Sequence, residues 1–356
     1  MRMINSFKRR FKRWMVGVLR SAWADFCICY FRLRLRFLRI MGLDPVFKGL
    51  DSSLVKAGAL SCFCSDGGVE VSSLTFGHPS DGGRGGCGLP HFGSEQQKAI
   101  VDTLKNKGFC VIQDFVSQDV CAGVVDFARR TRCYPRPQDG RALIPPEVLS
   151  KPYKSARYDF SPNVHQLFEI APLVDMMSNW SLVDVAEAYF GSKAYLDPVE
   201  LWWFLPFGVR DPAWAENYHF DFDAFRWLKF FVNFEDISLD VGPHCFIEAS
   251  HKPSRFKSDL VKEGYSRLSD EQVIDAYGHG AEKVFEVPLG SLLIEDTSGF
   301  HKGLTPVTGR RLLFSFQWSN SLFLDHKTLR RRKKYTAKGN ALDQMHSEGR
   351  LDRYFY

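Results

Sequence analysis

The chain has 356 residues, 45% hydrophobic and 14% aromatic with 31 Phe, enough apolar side chains to bury one sizeable core. Its net charge of +6 is local: residues 1–50 carry 12 Lys and Arg against 2 acids, a balance of +10, so the remainder stands at −4. A body of that sign is not built to neutralise a phosphate backbone, and no nucleic-acid partner is expected.

In the opening stretch Phe7, Phe11, Trp14 and Val18 recur at helical spacing opposite Lys8, Arg9, Arg10, Lys12 and Arg13. This predicts a basic amphipathic helix suited to an anionic membrane surface, with a solvated extension as the other reading. Phe31 to Leu38 alternates strictly and predicts a strand. Arg20 and Asp25 interrupt the apolar stretch between them, so no membrane span is predicted, and no signal-cleavage pattern follows. The expected location is cytoplasmic, with peripheral membrane contact through the N-terminus. Residues 51–93 are rich in Gly, Ser and Cys without periodicity and read as a linker. Their glycines make no phosphate loop, because no Gly-Lys-Ser/Thr ending follows. All of residues 1–93 are expected to be dispensable for chemistry. The nine cysteines lack zinc-knuckle spacing and fit a reducing compartment.

The folded body is expected over 94–325. Ser94 and Gln97 offer a capping box for a helix through Leu104, Gly108 to Phe115 reads as a strand, and Ser117 caps a helix that turns Val120, Val124, Val125 and Phe127 inward. A Pro-rich loop leads to the aromatic and cationic run Tyr153 to Phe160. Helices near Val164–Ile170 and Ser181–Tyr189 precede a long strand, Ala194 to Leu205, whose alternation sends Trp202 and Trp203 to opposite faces. Phe225 to Phe234 and Cys245 to Ile247 continue as strands around a Gly242-Pro243 turn; residues 254–283 are polar, helical or looped. Val284 to Asp296 reads as strand with a Pro288-Leu289-Gly290 turn, and Leu312 to Trp318 as a buried strand. The tail, 326–356, carries the basic run Arg330 to Lys334, read as a solvated face. Many strands punctuated by turns, with helices mostly before them, predict a mainly β jelly roll with flanking α-helices.

Within this frame Tyr218-His219-Phe220-Asp221-Phe222-Asp223 carries the chemistry. On a strand His219 and Asp221 share one face with Asp223, while Phe220 and Phe222 face a core. A third metal ligand has to come from elsewhere, and His301 is the best candidate. Two imidazoles and one carboxylate leave three positions open, an arrangement that suits non-haem Fe(II) with a bidentate co-substrate and O2. Beyond His301, Arg310 and Arg311 open the strand Leu312 to Trp318, where a guanidinium can grip a carboxylate through two parallel hydrogen bonds. A 2-oxoglutarate site needs that at its far end.

The order His219-x-Asp221, Gly242-Pro243-His244, Ala249-Ser250-His251-Lys252, His301-Lys302-Gly303 and a strand-leading Arg resembles the phytanoyl-CoA dioxygenase family of Fe(II)/2-oxoglutarate enzymes. The likeness runs from about Ser94 to about Ser321 and includes the phrase Leu228 to Asp236. It implies a double-stranded β-helix with His219, Asp221 and His301 as iron ligands, and 2-oxoglutarate and O2 as co-substrates. Arg311 holds 2-oxoglutarate by alignment of the following strand, or Arg310 by distance from His301. The implied reaction is hydroxylation of a small-molecule or acyl-type organic substrate with release of succinate and CO2. Asp221 favours hydroxylation over halogenation, since halogenating relatives lack an acid there. Two other readings stand beside this one: a non-catalytic jelly-roll binding protein at a membrane surface, and a cupin-type metal enzyme without 2-oxoglutarate. The second usually brings more histidines close together and leaves the strand-leading Arg without a task.

Overall fold

The structure is a computed structural model and describes residues 88–136, 157–160, 164–206, 217–221, 223–261, 267–322, 332–336 and 340–356. The helix predicted at Phe7–Val18, the strand at Phe31–Leu38, Phe222, Arg330 and Arg331 lie outside the described residues. The chain divides into two units, Met1–Glu70 with Lys257–Ser266, and Val71–Phe256 with Arg267–Tyr356. Of the first, residues 257–261 are described and include one 3-10 turn, Ser258–Val261.

The second unit is built on strands β1 (Phe109–Ile112), β2 (Tyr134–Pro135), β3 (Arg157–Asp159), β4 (Tyr195–Phe204), β5 (Trp227–Asn233), β6 (His244–Ile247), β7 (Glu282–Val284), β8 (Leu292–Glu295), β9 (His301–Gly303) and β10 (Arg311–Ser319). Among the described residues they form a seven-stranded sheet in the order β1-β8-β5-β10-β4-β3-β2 and a three-stranded sheet in the order β7-β6-β9. All the strand pairs are antiparallel. Helices α1 (Ser94–Lys107), α2 (Gln118–Arg130), α3 (Ala171–Met177) and α4 (Trp180–Phe190) precede most of the sheet, α5 (Asp270–Tyr277) lies between β6 and β7, and α6 (Asn340–Ser347) follows β10. This is the predicted jelly roll with flanking helices.

Period-two alternation divides the interior in two. From β10, Leu312, Phe314, Phe316 and Trp318 enter a large core shared with α1 to α4; Leu228, Phe230 and Val232 of β5 and Leu201 and Trp203 of β4 join them. The opposite faces of the same strands, with Leu313, Phe231 and Trp202, together with Leu293 of β8, meet Phe246, Phe285 and Val287 in a smaller core. Trp202 and Trp203 thus separate as the alternation predicts. Every residue of β10 is buried, and the polar ones, Arg311, Ser315, Gln317 and Ser319, lie on the same side of the strand as Leu313, away from the large core.

Three local expectations shift. The helix start moves one residue back: Gly93 is the N-cap of α1, and its N–H donates to Gln96 Oε1 at 2.9 Å. The strand read over Val284–Asp296 is broken at Pro288-Leu289-Gly290, and its halves serve different sheets, β7 in the small one and β8 in the large one. The C-terminal segment is folded rather than a free tail. Leu342, Met345, Leu351, Tyr354 and Phe355 are buried in the large core, Arg332 donates to the Phe355 carbonyl, and Arg353 pairs with Asp197. The sequence cue was hidden because charged residues stand among these apolar ones, and some of them, such as Arg350 and Arg353, are themselves turned inward to partners. Leu351→Ala is therefore expected to lower unfolding free energy by about 2–5 kcal/mol in urea titrations, as a buried Leu does; a loss below about 1 kcal/mol would mean the segment does not complete the core.

Candidate metal centre

His219 is not on a long strand. It forms an isolated antiparallel bridge with His301, the first residue of β9, and Tyr218 forms another with Leu268. The His219 N–H donates to the His301 carbonyl at 3.0 Å and the His301 N–H to the His219 carbonyl at 2.8 Å. Residues that exchange both bonds lie directly opposite, with side chains on one face. Asp221 is held next, its N–H donating to the Thr297 carbonyl at 2.8 Å, while the Trp227 indole N–H binds the Thr297 hydroxyl at 2.8 Å. Phe220 turns the other way and packs on Phe256 and Phe300, with ring centroids 5.2 and 5.5 Å away. The alternation expected of a strand holds across this short bridge even without a continuous ladder.

One ligand atom from each of His219, Asp221 and His301 lies within 4.8 Å of the other two. His219 Nδ1 is 3.0 Å from the Asn217 carbonyl and His301 Nδ1 is 3.0 Å from the Gly299 carbonyl. A carbonyl only accepts, so both Nδ1 atoms carry hydrogen and both Nε2 lone pairs are free for a metal. Asp221 Oδ1 is 4.0 Å from His219 Nε2, and Oδ2 is 3.5 Å from His301 Nε2. Burial holds both imidazoles below their ordinary pKa, the neutral form a metal requires. Burial alone would raise Asp221, but the Lys229 ammonium and the two histidines hold it well below the usual carboxylate range. Two neutral imidazoles and one ionised carboxylate fit a divalent first-row metal.

Lys229 was not singled out in the sequence. Its Nζ sits 2.6 Å from Asp221 Oδ2 and 2.9 Å from Asp223 Oδ2, so Asp223 is bound to a lysine beside the triad. Burial would lower the ammonium pKa, yet the two carboxylates hold it above the ordinary value. Register places Lys229 opposite Glu295 on one side and Gln317 on the other, a polar row across the inner face. The signal lay in single charged residues at inward positions of otherwise apolar strands.

Arg310 and Arg311 separate by alternation. Arg310 Nε binds Glu235 at 3.1 Å, and its guanidinium lies 5.8 Å from the ring of Trp203, a residue of the large core. Arg311 is 2% exposed, donates to the Gly242 carbonyl through Nη1, and lies 4.4 Å from the Phe204 ring. Its Nε has no hydrogen-bond partner, and burial lowers its pKa to about 10. Gly242, at φ +79°, permits this arrangement; a Cβ there would collide with the Leu304 carbonyl. His251 lies outside the triad, while its neighbour Ser250 accepts the Phe300 N–H at 2.8 Å and helps fix the loop before His301.

A second buried pair was missed. His244 Nδ1 is 2.9 Å from Glu295 Oε1, and Glu295 is fully buried with no partner on Oε2. Burial pushes Glu295 up to about 8 and, with Arg311 and Lys229 nearby, pushes His244 down to about 3.

No family model matches the chain, and no curated protein matches it. Among solved structures the chain is similar to the non-heme alpha ketoglutarate dependent epimerase SnoN from nogalamycin biosynthesis, at 13% identity over 62% of this chain and 81% of that one, TM-score 0.40. It is also similar to HygX from Streptomyces hygroscopicus with nickel and 2-oxoglutarate bound, at 15% identity over 70% and 94%, TM-score 0.42. A third is EvdO2 from Micromonospora carbonacea var. aurantiaca, at 11% identity over 65% and 91%, TM-score 0.43. Among the described residues no helix is long and apolar enough to cross a membrane.

The buried neutral histidines make the metal-free protein acid-sensitive. In the unfolded chain His219, His244 and His301 titrate near ~6.5; in the native state burial depresses all three. Stability is then full above about 6.5 and is lost as pH falls toward the depressed values, because the unfolded chain binds protons the native state refuses. Burial depresses His251 in the same way, while Glu295, raised to about 8, Asp197, raised to about 7, and Glu235, also raised by burial, run the other way, three groups against four. The thermal midpoint of metal-free protein is expected to fall between pH 7 and pH 5; a midpoint that stays level or rises would contradict the neutral-histidine assignment.

Proposed function

We propose that the protein is an Fe(II)- and 2-oxoglutarate-dependent oxygenase that hydroxylates a small organic substrate and releases succinate and CO2. The observation that carries this reading is a three-ligand cluster together with a buried guanidinium that has no carboxylate partner among the described residues and reaches within 3.7 Å of the Cβ position of Gly303, two residues after His301. A metal site alone would fit many chemistries. A buried cation awaiting an anion, opening beside that site, fits a dicarboxylate that chelates the metal at one end.

In this reading His219 Nε2, His301 Nε2 and one oxygen of Asp221 hold the iron. Lys229 engages one Asp221 oxygen, so the carboxylate would offer a bound metal the other, and a site of three protein ligands would leave room for a co-substrate. The iron and 2-oxoglutarate supply the oxidising chemistry when bound; the two atoms of O2 end in succinate and in the hydroxylated product. Arg311 fixes the far carboxylate and, with it, the direction in which the oxo acid lies. Gly303 leaves the space this requires, since a Cβ there would stand 3.7 Å from Arg311 Nη2 and 3.5 Å from His244 Cδ2. With a carboxylate at position 221, a bound metal would have no place there for the halide that halogenation needs, which supports hydroxylation. The small core beside the site, with Trp202 and Phe231, gives the interior apolar walls suited to an organic substrate.

The test is anaerobic titration of Fe(II) and then 2-oxoglutarate into the purified full chain, following the visible metal-to-ligand charge-transfer band. The band is expected in wild type and absent in His219→Ala. In Arg311→Ala half-saturation should need about 10- to 100-fold more 2-oxoglutarate, the loss of one charge-assisted interaction. Iron binding with no band on adding 2-oxoglutarate would refute the oxygenase reading.

A further inference from the structure

The strand pair β6–β9 brings a third imidazole near the triad and Arg311. Its register sets Phe246 opposite His301 and His244 opposite Gly303. His301 and Phe246 face the interior, so by period two Gly303 and His244 face it as well. The His244 ring lies 5.6 Å from the His301 ring and 4.9 Å from Phe231. Its Nδ1 is taken by Glu295 Oε1 at 2.9 Å, which leaves the Cδ2–Nε2 edge for the other side. That edge borders the gap left by Gly303: a Cβ on Gly303 would meet His244 Cδ2 at 3.5 Å and Arg311 Nη2 at 3.7 Å. A guanidinium nitrogen and the carbon bonded to Nε2 thus both flank the side-chain-free face of Gly303, so the imidazole edge and Arg311 border the same space. No hydrogen bond engages Nε2 among the described residues.

We propose that His244, held in place by Glu295, is a second anchor for the far carboxylate of the oxo acid, acting beside Arg311 and selecting 2-oxo acids that carry one. The inference rests on the oxygenase reading and deepens it. A carboxylate accepts only, so Nε2 must donate. Nδ1 then has to accept, and the Glu295 carboxyl donates to it, which keeps the fully buried pair neutral and spares the interior an additional charge. Other inward polar groups are committed elsewhere: Lys229 to Asp221 and Asp223, and the Gln317 amide N–H to Ser319. His244 is a binding and positioning residue in this account. It touches the end of the oxo acid remote from the metal.

The test compares 2-oxoglutarate with 2-oxopentanoate, which has the same chain length and the same metal-chelating end but a methyl group in place of the far carboxylate. Both are titrated anaerobically into the Fe(II)-loaded full chain by the charge-transfer band, with Fe(II) affinity measured separately. His244→Phe is expected to weaken 2-oxoglutarate about 10- to 100-fold while leaving Fe(II) and 2-oxopentanoate affinity within about threefold of wild type. His244→Gln, whose amide nitrogen reaches the place of Nε2, should restore most of the loss. Equal weakening of both oxo acids, weakened iron binding, or unchanged 2-oxoglutarate affinity in His244→Phe would each overturn the proposal while leaving the oxygenase reading intact. A wild-type protein that binds iron but not 2-oxoglutarate overturns both.

Discussion

The site depends on one pair of backbone hydrogen bonds, those exchanged between His219 and His301 at 3.0 and 2.8 Å. They join two stretches more than eighty residues apart in sequence and fix both imidazoles on one face, with ring centroids 4.3 Å apart. Backbone geometry therefore decides the ligand spacing, and each Nδ1–H bond to a local carbonyl decides which nitrogen is offered. A shift of one residue in this register would turn one histidine to the opposite face. The surrounding loop is tied down accordingly: Asp296 accepts from the Tyr189 hydroxyl at 2.6 Å and from the Ser298 N–H at 3.1 Å, and Lys302, facing away from the triad, pairs with Asp270 at 2.7 Å.

Burying this many ionisable groups in one interior is stable only where charges compensate. Asp221 is balanced by Lys229, and Lys229 in turn by Asp223. His244 and Glu295 settle as a neutral pair. Arg311 differs in being a buried cation whose donors meet a backbone carbonyl but no acid among the described residues. This imbalance is the physical reason for assigning an anionic ligand to the space beside it, and it separates Arg311 from Arg310, which Glu235 already neutralises.

Much of this was legible in the sequence because period two dominates the fold. Alternation separated His219 and Asp221 from Phe220, and Trp202 from Trp203; Arg310 and Arg311 stayed open in sequence and are told apart by their partners in the structure. Where long-range register decides the outcome, sequence was silent. Nothing near Lys229 tells that Asp221 and Asp223 lie beside it, and nothing near His244 announces Glu295, fifty-one residues on. The break at Pro288-Leu289-Gly290 was read as a turn, but not as the place where the chain changes sheets. In the C-terminal segment the sequence offered the basic run Arg330 to Lys334, read as a solvated face, and gave no cue that Leu342, Met345, Leu351, Tyr354 and Phe355 pack into the large core.

The central claim is that His219, Asp221 and His301 bind one metal whose remaining positions take an oxo acid directed at Arg311. Anomalous diffraction from crystals grown anaerobically with Mn(II) and 2-oxoglutarate tests it most directly. A single strong peak is expected, bonded to His219 Nε2, His301 Nε2 and one oxygen of Asp221, with the far carboxylate of the oxo acid against Arg311. A peak elsewhere, or a metal on these residues with 2-oxoglutarate lying away from Arg311, would contradict it.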